Sequence, residues 1–175
     1  MAEPVKNFLP GRLKYVKGDC TIPESGGHRM IIQINNDLGV YGAGLSGAIS
    51  KRWPIVAQEY RRWYRGQTNF KGGQVQEVTV QSDTSVVNMI AQHGIMSQAS
   101  TDDPPIKYDQ LAQCLDKVAA IAKENSSSIH TGRIGAGLAG GDWAIIEKMI
   151  VEKLINKGIN VTIYDLPEVK QDEKQ

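Results

Sequence analysis

Gly135-Ala136-Gly137-Leu138-Ala139-Gly140 repeats, with one change, the earlier stretch Gly42-Ala43-Gly44-Leu45-Ser46-Gly47. Each copy follows an apolar run and leads into a helical pattern. A glycine-rich turn ahead of a helix exposes backbone N–H groups at the positive end of the helix dipole. That is a seat for an anion, most often phosphate. One such loop would be weak evidence. Two, about half a domain apart, suggest a clamp that closes on a diphosphate from both sides.

The sequence around the loops reads as alternating strands and helices. Residues 13–17 alternate apolar and polar side chains, a strand signal ended by Gly18-Asp19. Residues 30–34 form a nearly continuous apolar run, a buried strand that stops at Asn35-Asn36-Asp37. Ile49, Trp53, Val56, Tyr60 and Trp63 make one helical stripe, which Pro54 should split or kink. Residues 75–80 and 86–91 read as a hairpin turning at Asp83-Thr84, and residues 93–105 as a loop. A helix over 108–123 buries Leu111, Leu115, Val118 and Ala122. Residues 128–134 read as a strand running into the second glycine loop. Asp142 then caps a helix with Trp143, Ile146, Ile150 and Leu154 inside, stopped by Gly158, and residues 161–166 form the last strand.

This order predicts a three-layer α/β/α domain with a mixed, mostly parallel central sheet. Ligands of such sheets sit beyond the carboxyl ends of the strands, where both glycine loops fall. The expected organisation is an arm over 1–12, one domain over 13–167 and a disordered, charged tail over 168–175.

Bulk composition narrows the classes. A net charge of +1 gives no global pull toward nucleic acid or membrane. Cys20 and Cys114 have no partner at ligand spacing, which argues against a zinc site or a disulfide framework. With no signal segment and no bilayer-length apolar run, the expected location is the cytoplasm.

Both loops satisfy G-x-G-x-x-G, so a dinucleotide-binding dehydrogenase is a rival. That fold needs one fingerprint tight against its strand and an acid about twenty residues further on. Here the first loop stands off from its strand, and the corresponding position is Gln67. Neither loop is followed by the Gly-Lys-Ser/Thr of a Walker phosphate loop.

Four segments occur in the order of a known family: Tyr15-Val16-Lys17-Gly18-Asp19; Asn36 with Gly42-Ala43-Gly44; Arg133-Ile134-Gly135-Ala136-Gly137-Leu138; and Val161-Thr162-Ile163-Tyr164-Asp165. Over nearly the whole chain the sequence resembles the macro domain, which binds ADP-ribose. It is most similar to the branch of terminal ADP-ribose glycohydrolases, the yeast ADP-ribose phosphate phosphatase and the Appr-1-p processing proteins. The resemblance implies ADP-ribose or an ADP-ribosylated protein as partner, with no cofactor, no metal and a monomeric chain.

It also implies roles. Asp19, with the Cys20 backbone beside it, would receive the adenine amino group; Asp19 equally reads as a turn aspartate after Gly18. Asn36 would hold the distal ribose, or simply form a turn. Gly42, Ala43, Gly44 and Leu45 would line one side of the diphosphate. Gly135, Ala136, Gly137, Leu138, Ala139 and Gly140 would line the other. Tyr164 would lie near the adenine, although a tyrosine at a strand end is commonly packing. His93 reads as solvated or as an acid–base candidate, and His130 as structural.

Three positions depart from the family pattern. Gln92 and Ala139 stand where one glycohydrolase type has its lysine and aspartate, and Gln33 stands where the phosphatase has a histidine. Glutamine cannot form a lysine-type adduct with an opened ribose. The implied activity is therefore hydrolysis of ADP-ribose esters on Asp and Glu side chains, by a water placed by Asn36 and Gln92. The alternatives are a non-catalytic ADP-ribose reader and an ADP-ribose 1''-phosphate phosphatase.

Overall fold

The computed structural model describes residues 9–24, 26–42, 44–95, 103–137 and 139–167. Ala43, Leu138, most of the expected arm and the expected tail lie outside the described residues. The strands are β1 (Leu13–Lys17), β2 (Arg29–Asn36), β3 (Val75–Gln81), β4 (Thr84–Gln92), β5 (Ser128–Thr131) and β6 (Val161–Asp165). They form one sheet in the order β1-β6-β5-β2-β4-β3. Every neighbouring pair is parallel except the β3–β4 hairpin. The helices are α1 (Leu45–Arg52), α2 (Pro54–Gly66), α3 (Tyr108–Asn125) and α4 (Trp143–Lys153).

Alternation along the central strands assigns each side chain to a layer. Met30 and Ile32 of β2 and Val87 and Met89 of β4 pack with Leu111, Leu115 and Val118 of α3 and with Ile146 and Ile150 of α4. Ile31 and Val86 point the other way, onto Ile49, Trp53 and Val56. Ile90 joins Tyr60 and Phe70 there. The helical stripe divides as expected. Pro54 takes the first position of α2, where its missing N–H has no helical acceptor to lose.

Two expectations are corrected. Strand β5 ends at Thr131 rather than continuing to residue 134. Gly132 turns the chain, the Ile134 N–H donates to the Gly132 carbonyl at 2.9 Å, and Ile134 enters the core from a turn. The apolar run there reports burial, not strand pairing. Trp143 is only half-buried, because the first turn of α4 stands at the carboxyl edge of the sheet beside Tyr15.

Asp142 is a helix cap, as its position suggests. Its Oδ1 accepts from the Ala144 N–H at 2.9 Å, while its own N–H donates to the Tyr108 hydroxyl at 2.9 Å. Asp142→Ala is expected to cost about 1 kcal/mol, since it orphans that amide. In a chain of this size the melting temperature should fall by roughly 2–4 °C. No described helix is long and apolar enough to cross a membrane.

Candidate binding cleft

Because five strands run parallel, their carboxyl ends share one edge. Two hollows of about 320 Å³ each open there. Both are lined by Gly44, Leu45, Gly132 and Arg133, so they are compartments of a single cleft. Asp19, Cys20 and Tyr164 line the first compartment. Gln33, Gln92, Gly135, Gly137 and Ala139 line the second. The two glycine loops, distant in sequence, therefore face a common space. A larger hollow of about 550 Å³ lies at the amino ends of the strands, around His28, Ser127 and Asn160, and neither glycine loop reaches it.

The first loop is a helix N-terminus left open. Gly44 occupies the N-cap of α1 with φ 66°, offers no side-chain cap, and no acid stands in the first turn. The N–H groups of Leu45, Ser46 and Gly47 find no acceptor among the described residues. None of the described residues competes there for an anion. A buried polar chain anchors this helix start. The Ser46 hydroxyl donates to Gln33 Oε1 at 2.8 Å, Gln33 Nε2 donates to Asn88 Oδ1 at 2.7 Å and to the Tyr41 hydroxyl, and Asn88 Nδ2 donates to Gln76 Oε1 at 3.0 Å.

The second loop differs from its expected form. Helix α4 is closed by Asp142, so its dipole end is already occupied. The loop is instead folded by its own amides: Gly140 N–H reaches the Gly137 carbonyl at 3.0 Å and Gly141 N–H the Gly135 carbonyl at 2.7 Å. The N–H groups of Gly135, Gly137 and Ala139 find no acceptor among the described residues. This is a nest of turn amides rather than a helix end, and such a nest also favours negative oxygen. Gly42, Ala136 and Gly140 belong to the loops without lining either compartment.

In the first compartment both readings of Asp19 coexist. Its Oδ1 accepts from the Thr21 N–H at 2.9 Å and the Thr21 hydroxyl at 2.7 Å, while Oδ2 has no partner among the described residues. Burial pushes the Cys20 thiol up to about 12, so it is a neutral wall rather than a nucleophile. The Tyr164 hydroxyl accepts the Glu24 N–H at 2.8 Å and lies 2.8 Å from His130 Nδ1. Desolvation pushes His130 down to about 4, so the ring is neutral at physiological pH. Tyr164 then donates to Nδ1, which leaves the His130 Nε2–H to donate to Ser128 Oγ at 2.7 Å. His130 is structural and fixes the tyrosine that lines the cleft.

In the second compartment Gln92 lies at the end of β4. Its Nε2 donates to the Gly94 carbonyl at 3.0 Å, and Oε1 has no partner among the described residues. Asn36 lines neither compartment. Its Nδ2 donates to the Val40 carbonyl at 2.6 Å, and its Oδ1 accepts from Leu38, Val40 and Tyr60. The side chain holds the segment that leads into the first glycine loop. His93 lies out on Asp37 at 2.7 Å, with its side chain 70% exposed.

Arg133 has a place in this cleft that the sequence reading did not assign. It lines both compartments, with Nε and Nη2 on the two oxygens of Asp165 at 2.7 and 3.0 Å. Its guanidinium lies over the rings of Tyr15 and Trp143, 5.1 and 5.5 Å from their centroids. The available signal was a lone arginine directly ahead of a glycine loop. Its partners come from three distant segments.

No sequence-family model matches the chain. It is similar to a structure of a Bacteroides thetaiotaomicron protein of unknown function, at 46% identity and TM-score 0.86, over 89% of this chain and 99% of that one. It is also similar to a macrodomain protein from Streptomyces coelicolor, at 40% identity and TM-score 0.78, over 88% of this chain and 99% of that one. The chain belongs to the macrodomain family. This macrodomain also shares its fold with Thermosipho africanus DarTG, solved in complex with ADP-ribose, at 19% identity and TM-score 0.68. It covers 44% of that longer chain.

Proposed function

We propose that this macrodomain binds ADP-ribose along the two-compartment cleft and hydrolyses its esters with Asp or Glu side chains. The observation that carries the reading is the shared lining: open amides from both glycine loops border one hollow. The adenine lies against Cys20 and Tyr164, the pyrophosphate lies between the loops, and the distal ribose lies toward Gln33 and Gln92. The complex of DarTG with ADP-ribose, on the same fold, supports the choice of ligand.

The chemistry asks little of the protein. Water attacks the anomeric carbon, the bond to the ester oxygen breaks, and the carboxylate leaves with the electron pair. The water's proton passes to solvent, giving ADP-ribose and a free acid. A carboxylate is a stable leaving group at neutral pH, so a glutamine that orients water can suffice where no lysine is present. Gln92 supplies Oε1 as the acceptor for that water. Asn36 acts through the loop it holds.

Incubation with a glutamate-ADP-ribosylated protein should release ADP-ribose. Gln92→Ala should lower the release rate by about tenfold or more with KM nearly unchanged, since water placement matters in the transition state and not in binding. A second reading, the reader without catalysis, is favoured by one feature. Among the described residues of the second compartment, Arg133 is the sole charged side chain. Tight ADP-ribose binding by calorimetry, with no turnover at enzyme excess, would establish that reading. Phosphate release from ADP-ribose 1''-phosphate alone would point to the phosphatase.

A further inference from the structure

The geometry points to Arg133 as the residue that recognises the bridging pyrophosphate, a rigid fork at the junction of the two compartments. This inference rests on the ADP-ribose reading above. Among the described residues lining the cleft, Arg133 is the sole cation. It stands where the compartments meet, the place a ligand spanning both must cross. An arginine side chain ordinarily loses rotamer freedom on binding a phosphate. Here that loss is already incurred. Asp165 grips the guanidinium along the edge formed by Nε and Nη2. The guanidinium lies over the rings of Tyr15 and Trp143, which meet edge to face, and the indole N–H donates to the Tyr15 hydroxyl at 3.1 Å. The Tyr15 hydroxyl is also bonded to Glu147, which ties the cluster to α4.

The remaining edge of the fork is open: Nη1 finds no acceptor among the described residues. The Arg133–Asp165 pair is close to neutral as a unit, so it attracts anions weakly at long range. Its contribution is directional, through planar N–H groups that match phosphate geometry. A pyrophosphate between the glycine loops would then receive backbone amides from two sides and the guanidinium from a third. Single phosphates in the first compartment would meet less of this arrangement.

The test is a ligand series measured by calorimetry on the intact protein. Arg133→Ala should weaken ADP-ribose and ADP by roughly ten- to a hundredfold, the range expected for losing a hydrogen bond to a charged group. AMP should weaken by less than about threefold, since it lacks the second phosphate. Arg133→Lys keeps the charge and loses the fork, so it should lie nearer alanine than wild type. Full rescue by lysine would overturn the fork. Unchanged ADP-ribose affinity in Arg133→Ala would remove Arg133 from recognition while leaving the binding proposal intact. A wild-type protein that binds no ADP-ribose would end the underlying reading instead. Equal losses across all three ligands would mark Arg133 as scaffolding and overturn the inference.

Discussion

Gly135→Ala should abolish measurable ADP-ribose binding and destabilise the fold. Gly135 sits at φ 76°, in the left-handed region where a Cβ is strained. A Cβ added there would also lie 2.5 Å from Ile106 Cδ1, 3.0 Å from Ile146 Cδ1 and 3.1 Å from Ile34 Cδ1. Those atoms are methyl ends of side chains in the packed core, and one of them, Ile34, lines the second compartment, so making room for the Cβ disturbs both. Backbone strain and overpacking together should cost about 2–4 kcal/mol. Gly137→Ala provides the contrast. A Cβ at Gly137 meets nothing within 4 Å, and its φ is not positive. Its melting temperature should match wild type while ADP-ribose affinity falls, because the added methyl stands where the ligand approaches the backbone. Melting curves and calorimetry on the two variants separate a folding role from a contact role. Normal ADP-ribose affinity in a folded Gly137→Ala protein would argue against the loop as a ligand surface.

Stability should fall steeply with acid, and His130 should be the main cause above pH 4. The ring is buried, and desolvation holds its folded pKa near 4 against an ordinary value of 6.5. A depressed histidine pKa means that the unfolded chain binds the extra proton first. His130 therefore favours folding fully above pH 6.5, progressively less below it, and no further loss comes from it once pH passes about 4. The size of the loss is on the order of 3 kcal/mol. Urea midpoints measured between pH 7 and pH 4 should follow this slope, and His130→Gln should flatten it. Asp165, held below the usual carboxylate range by its hydrogen bonds to Arg133, adds its loss at lower pH. An unchanged slope in His130→Gln would show that other groups dominate the acid limb. Because His130 fixes the Tyr164 hydroxyl and stays neutral in the folded chain until the pH nears 4, ADP-ribose affinity should hold over this range and decline only as the pH approaches 4.

The elements that were legible share a physical cause. Strand β4 announces itself as a nearly continuous apolar run because both its faces are buried, and helix α3 by apolar periodicity because it buries one face. Pro54 and Asp142 mark helix starts through their own backbone chemistry, which needs no distant partner. The extent of β5 was not legible, because Ile134 is apolar for the sake of the core and not of the sheet. The half-exposed state of Trp143 was likewise hidden, since an indole on the inward stripe of a helix reads as core wherever the helix ends.

In the candidate site, the glycine loops could be read as cradles from their composition, and Asp19, Cys20, Gln92 and Tyr164 fall along the cleft. Asn36 and Arg133 illustrate the other side. Nothing local distinguishes an asparagine that holds a ribose from one that holds its own loop through Val40 and Tyr60. Nothing local brings Arg133 beside Tyr15, Trp143 and Asp165.

From its own letters the chain settles the strands and helices, the two glycine turns and the alternation that makes an α/β/α sandwich. These follow from interactions within a few residues of each other. Which amides stay open, which glycines touch the core and which arginine stands between the compartments depend on the order β1-β6-β5-β2. That order places segments more than a hundred residues apart side by side. Contacts across such separations are governed by the path of the folded chain, and local pattern carries no record of them.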